Sequence, residues 1–371
     1  MKRLDRVLGV LMVAALLAAI ALLMRRIDFV ALIGALVAGN SGAASVACAA
    51  LAALIGAVLW RRLGAHGIAV EQRTVAVLML SSLAVAGVEW SRQSAGLQSE
   101  SVQFMSDGDA LYGTIVRPDS GGPYPGIVIA QGSLNLPHRS YAPLATALAR
   151  QGFVVLNYDR RGVGRSGGGD KLDARNNAGA PYIRQLGRDL AAAAVALRAA
   201  PRVIPSNVGL YGISQGGWVV PLAAAQDSQI AFALIVSGPT TSTREEGIYS
   251  AATGEDDDHF ARRPPRMSLA DADAVVDTAT PGGFDPRTTL GELHLPVRWM
   301  MGAWDNSVPV TKSVRIVDSL ARLGKPFRAV VFPQANHGLM IARGPRARMT
   351  PYWDAGVWDT TVTWLRELSR R

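Results

Sequence analysis

The amino-terminal quarter of the chain contains long runs of residues without charge. Uncharged residues number eighteen from Val7 to Met24, thirty-two from Phe29 to Trp60 and fifteen from Thr74 to Val88. A helix needs about 20 apolar residues to cross a bilayer, or about 17 at the short limit. The first run fits one span, the second is too long for one upright helix and tight for two, and the third is short. This pattern predicts three or four transmembrane helices within residues 1–95.

A secretory leader also begins with basic residues and an apolar core. Here Arg25-Arg26 follows the first run where a small-residue cleavage site would be needed, and two more apolar runs come later. A buried hairpin of a soluble protein is a poorer match, because soluble domains rarely place so many residues in a row without a charge. Counts of Lys and Arg on the two sides of the membrane place the carboxyl-terminal part outside the cytoplasm, whether the chain has three spans or four. We therefore expect a multi-pass membrane protein whose carboxyl-terminal part lies on the extracytoplasmic side.

Beyond residue 95 the pattern changes to short β-rich runs that alternate with helical stretches. This alternation is typical of an α/β domain with a mainly parallel sheet. One helix is predicted at 182–200, with Ile183, Leu186, Leu190 and Leu197 on one stripe, and another from Thr311 to Leu323, followed by Gly324. A single large domain is expected over residues 96–371, with a cap-like insert at about 240–293. The predicted strands are 101–106, 110–117, 125–130, 153–158, 207–213, 230–236, 296–302 and 327–332.

Composition and charge exclude several classes of protein. Charged residues are only 18% of the 371, and hydrophobic residues are 49%, which excludes a disordered or collagen-like chain. The net charge is +9, but the basic residues are scattered, with no run of five, which argues against nucleic-acid binding. Cys48 is the one cysteine, so a disulfide scaffold and a cysteine-based zinc cluster are excluded.

A candidate nucleophile follows the fifth predicted strand. The strand 207–211 leads into Gly212-Ile213-Ser214-Gln215-Gly216-Gly217, and an apolar helix begins at Trp218. This is the G-x-S-x-G pattern in the strand–turn–helix setting of a nucleophile elbow. A serine on so tight a turn brings neighbouring backbone close, so we expect a Cβ at either flanking glycine to clash. The pattern predicts Ser214 as a nucleophile that faces the amino end of the helix.

A serine hydroxyl needs a histidine base to become reactive near neutral pH. Of the five histidines, His294 and His337 are the candidates in the chain order nucleophile, acid, base. His337 lies in the loop at the carboxyl end of strand 327–332, whereas His294 lies just before a strand, at the wrong edge of the sheet. His337 is therefore the predicted base.

The acid that orients this base should follow the preceding strand. Asp305 lies just after strand 296–302, which places it at the required edge. Its alternative role is to cap the helix that begins near Val310. Asp285 and Glu292 are rivals, but neither of them follows a strand.

The oxyanion of an acyl-transfer reaction needs preorganised hydrogen-bond donors, which are usually two backbone amides. One is expected from Gln215, the residue after the nucleophile. The other is expected from the loop after the third strand, Gln131-Gly132-Ser133-Leu134, where glycine lets the chain turn its amides inward. Ser133 and Leu134 are equal candidates for this second donor.

These motifs resemble those of the α/β-hydrolase superfamily. The resemblance rests on the elbow, on the order Ser214, Asp305, His337, and on Asn-Tyr-Asp-Arg-Arg-Gly-Val-Gly-Arg-Ser-Gly at 157–167. It covers about residues 101–370 and is strongest to the serine esterases and the dienelactone-hydrolase or prolyl-peptidase-like branch. It implies an eight-stranded, mostly parallel sheet flanked by helices, and a Ser-His-Asp hydrolase that needs no metal or organic cofactor. It also implies a purely structural turn at 159–167.

The predicted function is hydrolysis of a carboxylic ester or lactone by a membrane-anchored enzyme. The expected partners are a small ester or acyl substrate and the lipid bilayer, and the oligomeric state is left open. Alternatives are transfer of the acyl group to an alcohol or lipid, a serine peptidase, and a non-catalytic membrane module. The peptidase is less favoured, because we see no room for the large amino-terminal propeller of the prolyl oligopeptidases.

Two other groups of residues are interpreted as structural. The acidic run at 255–258, followed by His259, is expected to be a solvated loop and not a metal site, because consecutive side chains point in different directions. Trp353, Trp358 and Trp364 are expected to pack a carboxyl-terminal helix.

Overall fold

A computed structural model describes residues 96–169, 179–254, 267–340 and 355–369. The predicted membrane region at 1–95, the acidic run with His259 and Trp353 lie outside the described residues. Within the four described ranges, no helix combines the length and the apolarity needed to cross a bilayer.

The domain is built on one sheet of eight strands in the order β1-β2-β4-β3-β5-β6-β7-β8. β1 pairs antiparallel with β2, and β2 pairs antiparallel with β4, whereas all later neighbours are parallel. The predicted eight-stranded, mostly parallel sheet is therefore confirmed. The strands are β1 (Leu97–Ser106), β2 (Asp109–Pro118), β3 (Tyr124–Ala130), β4 (Val154–Tyr158), β5 (Val203–Ile213), β6 (Ile230–Val236), β7 (Val297–Gly302) and β8 (Phe327–Phe332).

Two strands begin four residues earlier than the sequence pattern predicted. β1 begins at Leu97 instead of 101, and β5 begins at Val203 instead of 207. The first residues of β1 are mostly exposed on the sheet edge, and Pro205 and Ser206 in β5 are exposed too. An exposed stretch has no buried face, so it carries none of the apolar alternation from which strands are predicted.

Helices connect the parallel strands in the described ranges. Both helices predicted by number are present within two residues of their expected ends, and the glycine after the second has a φ of +87°. The helices are a 3₁₀ turn (His138–Tyr141), α1 (Ala142–Arg150), α2 (Ala180–Arg198), α3 (Gly216–Gln226), α4 (Thr243–Thr253), α5 (Leu269–Thr278), α6 (Arg287–Glu292), α7 (Val310–Arg322) and α8 (Ala355–Ser369).

The core consists of two apolar layers, one on each face of the sheet. Alternate residues of the buried strands point to opposite faces, so Val128 packs with α2 and α3 while Ile127 and Ile129 pack with α1 and α8. Nearly continuous apolar strands are expected where both faces are covered. Trp364 of α8 is buried against Phe232, and Trp358 packs in the same layer, as expected for helix-packing tryptophans.

The parallel arrangement fixes where the candidate residues meet. The loops after β3, β5, β7 and β8 all leave the carboxyl edge of the sheet. They carry the four segments that the sequence singled out for chemistry. In open α/β sheets this edge is where ligands bind.

Candidate active site

Ser214 occupies the turn between β5 and α3 in a strained backbone conformation. Its φ is +50°, in the left-handed region that residues other than glycine rarely adopt. Its backbone N–H donates a 2.9 Å hydrogen bond to the carbonyl oxygen of Val236, and its carbonyl accepts one of 2.8 Å from the amide of Gly217. Such strain persists only where the surrounding structure imposes it, and it is common at functional sites.

The glycines of this turn differ in how tightly they are packed. A Cβ at Gly212 would lie 2.7 Å from the side chain of Val220, which confirms the expected clash. A Cβ at Gly216 would lie 3.5 Å from the carbonyl oxygen of Ala130, an ordinary contact, so the same expectation for Gly216 is wrong. Of the adjacent glycines Gly216 and Gly217, the crowded one is Gly217, where a Cβ would lie 2.5 Å from the carbonyl oxygen of Pro239. The reason is that the chain after β6 passes against the second glycine of the pair.

The structure brings Ser214, His337 and Asp305 together. Nε2 of His337 lies 3.1 Å from Oγ of Ser214, and Nδ1 of His337 lies 2.8 Å from Oδ2 of Asp305. Both are hydrogen-bond distances. The rivals are elsewhere: His294 precedes β7, and Asp285 forms an ion pair with Arg287.

The carboxylate of Asp305 is held from two sides. Its Oδ1 accepts hydrogen bonds from the backbone amides of Ser307 at 2.9 Å and Val308 at 2.8 Å, which leaves Oδ2 for His337. Its side chain has no exposed surface. The residue that caps α7 is Pro309, so the alternative role of Asp305 as the cap of that helix is wrong. The turn at 305–308 instead fixes the carboxylate toward the imidazole.

Backbone contacts join the loop of Asp305 to the loop of His337. The amide of Trp304 donates to the carbonyl oxygen of Ala335 at 2.8 Å, and Ala303 donates to Phe332 at 2.9 Å. A Cβ at Gly302 would lie 2.3 Å from the carbonyl oxygen of Asn336. A glycine is therefore needed at the end of β7 for the two loops to approach each other.

Helix α4, which lies in the segment at 240–293, contacts the loop of Asp305. The sequence did not reveal this contact. The hydroxyl group of Tyr249 donates a 3.0 Å hydrogen bond to the backbone carbonyl oxygen of Asp305. Tyr249 is buried, and this burial raises the pKa of its phenol above the usual value. The cap-like character of the segment at 240–293 stays a prediction.

The predicted oxyanion segments flank the nucleophile. Gln215 is buried at the start of α3, directly after Ser214. On the other side, a Cβ at Gly132 would lie 3.5 Å from Cβ of Ser214, so the loop Gln131–Leu134 runs alongside the serine. Ser133 and Leu134 both stay candidates for the second donor.

No group of three His, Cys, Asp or Glu side chains in the described ranges converges as metal ligands. Ser214, His337 and Asp305 are hydrogen-bonded to one another, and Asp305 also accepts hydrogen bonds from the backbone. The arrangement can activate a hydroxyl group and accept its proton.

Comparison with known proteins identifies the family. The model of the prolyl oligopeptidase family matches residues 140–359, a range that contains Ser214, Asp305 and His337. The chain belongs to the prolyl oligopeptidase family. It is therefore a hydrolase of the serine α/β-hydrolase type. The prolyl oligopeptidase match begins after the predicted oxyanion loop at 131–134.

The chain is similar in sequence to two mycobacterial proteins. They are uncharacterized proteins of two Mycobacterium tuberculosis strains, CDC 1551 and H37Rv, and each is 30% identical over 232 residues. The match covers 62% of this chain and 69% of each relative. These relatives give no substrate for the prolyl oligopeptidase family member described here.

Solved structures share its fold at low sequence identity. A dienelactone hydrolase-like promiscuous phosphotriesterase from metagenomic libraries has a TM-score of 0.51 at 18% identity, over 74% of this chain and 99% of that one. An esterase of Pyrococcus furiosus has a TM-score of 0.50 at 19%, over 74% and 92%. The acylaminoacyl peptidase of Pyrococcus horikoshii has a TM-score of 0.51 at 17%, over 69% of this chain and 40% of that one. At these identities the likeness establishes the α/β-hydrolase fold alone.

One histidine that sequence reasoning set aside has a defined place in this prolyl oligopeptidase family fold. Nδ1 of His138 lies 2.8 Å from Oδ1 of Asp159, and its Nε2 lies 3.0 Å from the hydroxyl oxygen of Thr114. Burial opposes ionisation of Asp159, but hydrogen bonds from the amides of His138 and Arg165 hold the pKa of its carboxyl below the usual value. The pair fixes the far end of the β3–α1 loop, which also carries Ser133 and Leu134.

Proposed function

We propose that the protein hydrolyses carboxylic esters or lactones through an acyl-enzyme on Ser214. The observation that supports this most is the continuous hydrogen-bonded series from Oγ of Ser214 through the imidazole of His337 to Asp305. In such a series the base takes the serine proton, and the buried carboxylate stabilises the imidazolium that forms.

The reaction proceeds in two acyl transfers. Oγ of Ser214 bonds to the substrate carbonyl carbon while its proton passes to Nε2 of His337. The tetrahedral oxyanion is received by the amide of Gln215 and by that of Ser133 or Leu134. When the ester C–O bond breaks, His337 returns the proton to the leaving alkoxide. Water then repeats the sequence on the acyl-enzyme, which releases the acid and restores the serine.

Exposed leucines in the loop after β3 support an ester with an apolar acyl group. Leu134 is 45% exposed and Leu136 is 39% exposed, and both belong to the loop that carries the second candidate donor. Apolar side chains at the rim of a site gain free energy when an apolar substrate covers them. The esterase of Pyrococcus furiosus among the proteins of like fold agrees with an ester as the substrate class.

A peptidase is the second candidate function. The family is named for peptidases, and one protein of like fold is an acylaminoacyl peptidase. The same three residues would serve, with an amine as the leaving group. Acyl transfer to an alcohol is a third outcome of the same chemistry, in which the alcohol replaces water in the second step.

The experiment compares substrates on the purified full chain, with Ser214→Ala as the blank. We expect hydrolysis of p-nitrophenyl esters, with a rate that depends on acyl-chain length, and labelling of Ser214 by a fluorophosphonate probe. Faster cleavage of aminoacyl p-nitroanilides than of the esters would favour the peptidase, and an alkyl ester formed with added alcohol would favour transfer. A wild-type chain that cleaves neither class and is not labelled would contradict the proposal.

We further propose that the enzyme is anchored in a membrane with its hydrolase domain on the extracytoplasmic side. The three uncharged runs before residue 95 support the anchor, and the distribution of Lys and Arg supports the orientation. We expect the full chain to stay with membranes after alkaline carbonate extraction, and protease added to intact spheroplasts to remove the hydrolase domain. Release by carbonate would contradict the anchor, and protection from protease would contradict the orientation.

A further inference from the structure

Arg160 is a buried cation beside the candidate site. It is the second residue after β4, in the turn at 159–167 that the family resemblance marked as structural, and only 3% of its surface is exposed. A buried charge is costly unless its hydrogen bonds are made to specific partners. Its partners therefore indicate why an arginine is present.

The guanidinium of Arg160 contacts both segments that are predicted to form the oxyanion hole. Nη1 donates a 2.9 Å hydrogen bond to the side-chain oxygen of Gln215. Nη2 donates to the backbone carbonyl oxygens of Ser133 at 3.0 Å and Leu134 at 2.8 Å. Nη2 also donates to the side-chain oxygen of Asn135 at 2.7 Å. One planar group thus joins the residue after the nucleophile to the loop on the other side of it.

These contacts fix the direction of backbone amides. In a trans peptide the N–H points opposite to the preceding C=O. Because the Ser133 carbonyl is held by Arg160, the N–H of Leu134 points away from the guanidinium. The Leu134 carbonyl is held as well, by Arg160 and by the amide of Leu136 at 2.8 Å. Of the two candidate donors, Arg160 therefore orients the N–H of Leu134, whose peptide plane contains the Ser133 carbonyl. The N–H of Ser133 belongs to the preceding peptide, between Gly132 and Ser133.

The charge of Arg160 is not neutralised within the part of the chain that the structure describes. No carboxylate there lies within ion-pair distance of it, whereas the next residue, Arg161, pairs with Asp109 and Asp189. The acceptors of Arg160 are three carbonyl or amide oxygens and the amide oxygen of Gln215. A positive charge in a site of low dielectric favours negative charge that develops nearby.

We propose that Arg160 is a positioning residue that aligns the oxyanion hole across the two loops. The proposal rests on the proposed acyl-transfer function of Ser214. Arg160 does not contact the reacting atoms; it acts through the backbone at 133–134 and through Gln215. Its effect falls on the transition state, where the oxyanion exists, and not on the binding of the uncharged ester.

The test compares Arg160→Ala and Arg160→Lys with Arg161→Lys as the matched control. Arg161 is an adjacent buried arginine whose partners, Asp109, Asp189 and the Ser106 carbonyl, lie outside the two loops. For each variant, kcat and KM are measured with a p-nitrophenyl ester. The rates are normalised to the Ser214 that a fluorophosphonate titrates, so that unfolded protein does not imitate a catalytic defect. Affinity for a trifluoromethyl ketone, whose adduct carries an oxyanion, is measured as well.

We expect kcat to fall about 100-fold in Arg160→Ala and about 10-fold in Arg160→Lys, with KM nearly unchanged. The reason is that displacing an oxyanion-hole donor should lower kcat by no more than removing that donor does. Affinity for the trifluoromethyl ketone should fall in parallel. Added guanidinium ion should restore part of the rate in Arg160→Ala, and an equal concentration of sodium chloride should not. Arg161→Lys should unfold at lower temperature but keep its kcat per titrated serine.

Three results would overturn the proposal. The first is an unchanged kcat and ketone affinity in folded Arg160 variants that retain wild-type labelling. The second is a parallel loss in both Arg160 variants and in Arg161→Lys, without rescue by guanidinium, since this assigns Arg160 to stability alone. The third is collapse of both Arg160 variants with no titratable serine, which leads to the same conclusion. If the wild type itself neither hydrolyses esters nor is labelled, the proposed function fails, and the role of Arg160 falls with it.

Discussion

Nδ1 of His337 lies 2.8 Å from Oδ2 of Asp305, on a carboxylate that has no exposed surface. The other oxygen of that carboxylate is occupied by two backbone amides. A carboxylate accepts hydrogen bonds, so Asp305 favours the tautomer of His337 that carries its proton on Nδ1 and leaves Nε2 unprotonated toward Ser214.

Replacing Asp305 by asparagine should lower kcat by about 10⁴-fold, because an amide of the same shape can stabilise the wrong tautomer of His337 and cannot stabilise the imidazolium. The measurement is p-nitrophenyl ester hydrolysis at neutral pH. Asp285→Asn is the control, since that carboxylate pairs with Arg287 away from His337. If kcat of Asp305→Asn stays within tenfold of the wild-type value, Asp305 has no essential part in the mechanism.

Gly302→Ala should separate the loops that carry the acid and the base. Its Cβ would lie 2.3 Å from the carbonyl oxygen of Asn336 and 2.4 Å from that of Ala335, so the backbone must shift by about 1 Å. A shift of this size can cost about 100-fold in kcat. Gly338→Ala is the matched control, because the nearest atoms there lie 3.6 Å away. Equal ester hydrolysis by the two variants would show that this close approach does not matter for the reaction.

The two adjacent glycines at the start of α3 should respond in opposite ways to alanine. Gly217→Ala meets backbone at 2.5 Å and should lower the free energy of unfolding by about 3 kcal/mol, as overpacking does. Gly216→Ala has room, and alanine is the better helix former, so the change should be within about 1 kcal/mol of neutral or slightly stabilising. Denaturation in urea measures both. A larger loss in Gly216→Ala than in Gly217→Ala would contradict the packing of the elbow.

Glu245 should make the stability of the domain depend on pH. Burial opposes its ionisation, but hydrogen bonds from Lys312 and Ser242 and the charge of Arg287 hold the pKa of its carboxyl below the usual value. A group with a lowered pKa stabilises the folded state at pH values above its pKa in the unfolded chain, which is about 4.3 for Glu. This stabilisation is lost as the pH falls through the pKa of the folded state.

Glu245→Gln should therefore lower the free energy of unfolding by about 3 kcal/mol at neutral pH, because it leaves two cations without their buried partner. The difference from the wild type should shrink below about pH 4. Thermal unfolding from pH 7 to pH 3 measures it, with Glu292→Gln on the exposed end of α6 as the control. A difference that stays constant over this range would show that the charge of Glu245 contributes nothing.

The sequence predicted the strands, the order of the candidate residues and the edge of the sheet where they lie, because these depend on local signals. Apolar runs mark β5, β7 and β8, and a polar loop after each run marks the edge. Given a parallel sheet, the position of Ser214 relative to His337 then follows from topology. The distances between the atoms of these two side chains come from the structure, because no local pattern in the sequence contains them.

What the sequence could not reveal depends on contacts between distant segments. The sequence does not distinguish Gly216 from the adjacent Gly217. They differ in the structure because the backbone of Pro239 packs against Gly217. Arg160 reaches Gln215 across 55 positions, and Tyr249 reaches the Asp305 carbonyl across 56. No periodicity relates such pairs. The family resemblance implies only a structural turn at 159–167, whereas one of its side chains contacts the predicted oxyanion loop.

The hydrogen bond from Tyr249 to the Asp305 carbonyl has an evolutionary consequence. The segment between β6 and β7 is an excursion from the sheet, the kind of region in which homologous enzymes tolerate insertion and divergence. In this chain the same excursion supports the main chain of the acid. A change in this segment that removes Tyr249 should therefore displace the main chain of Asp305, so the excursion is free to diverge only where it keeps this contact.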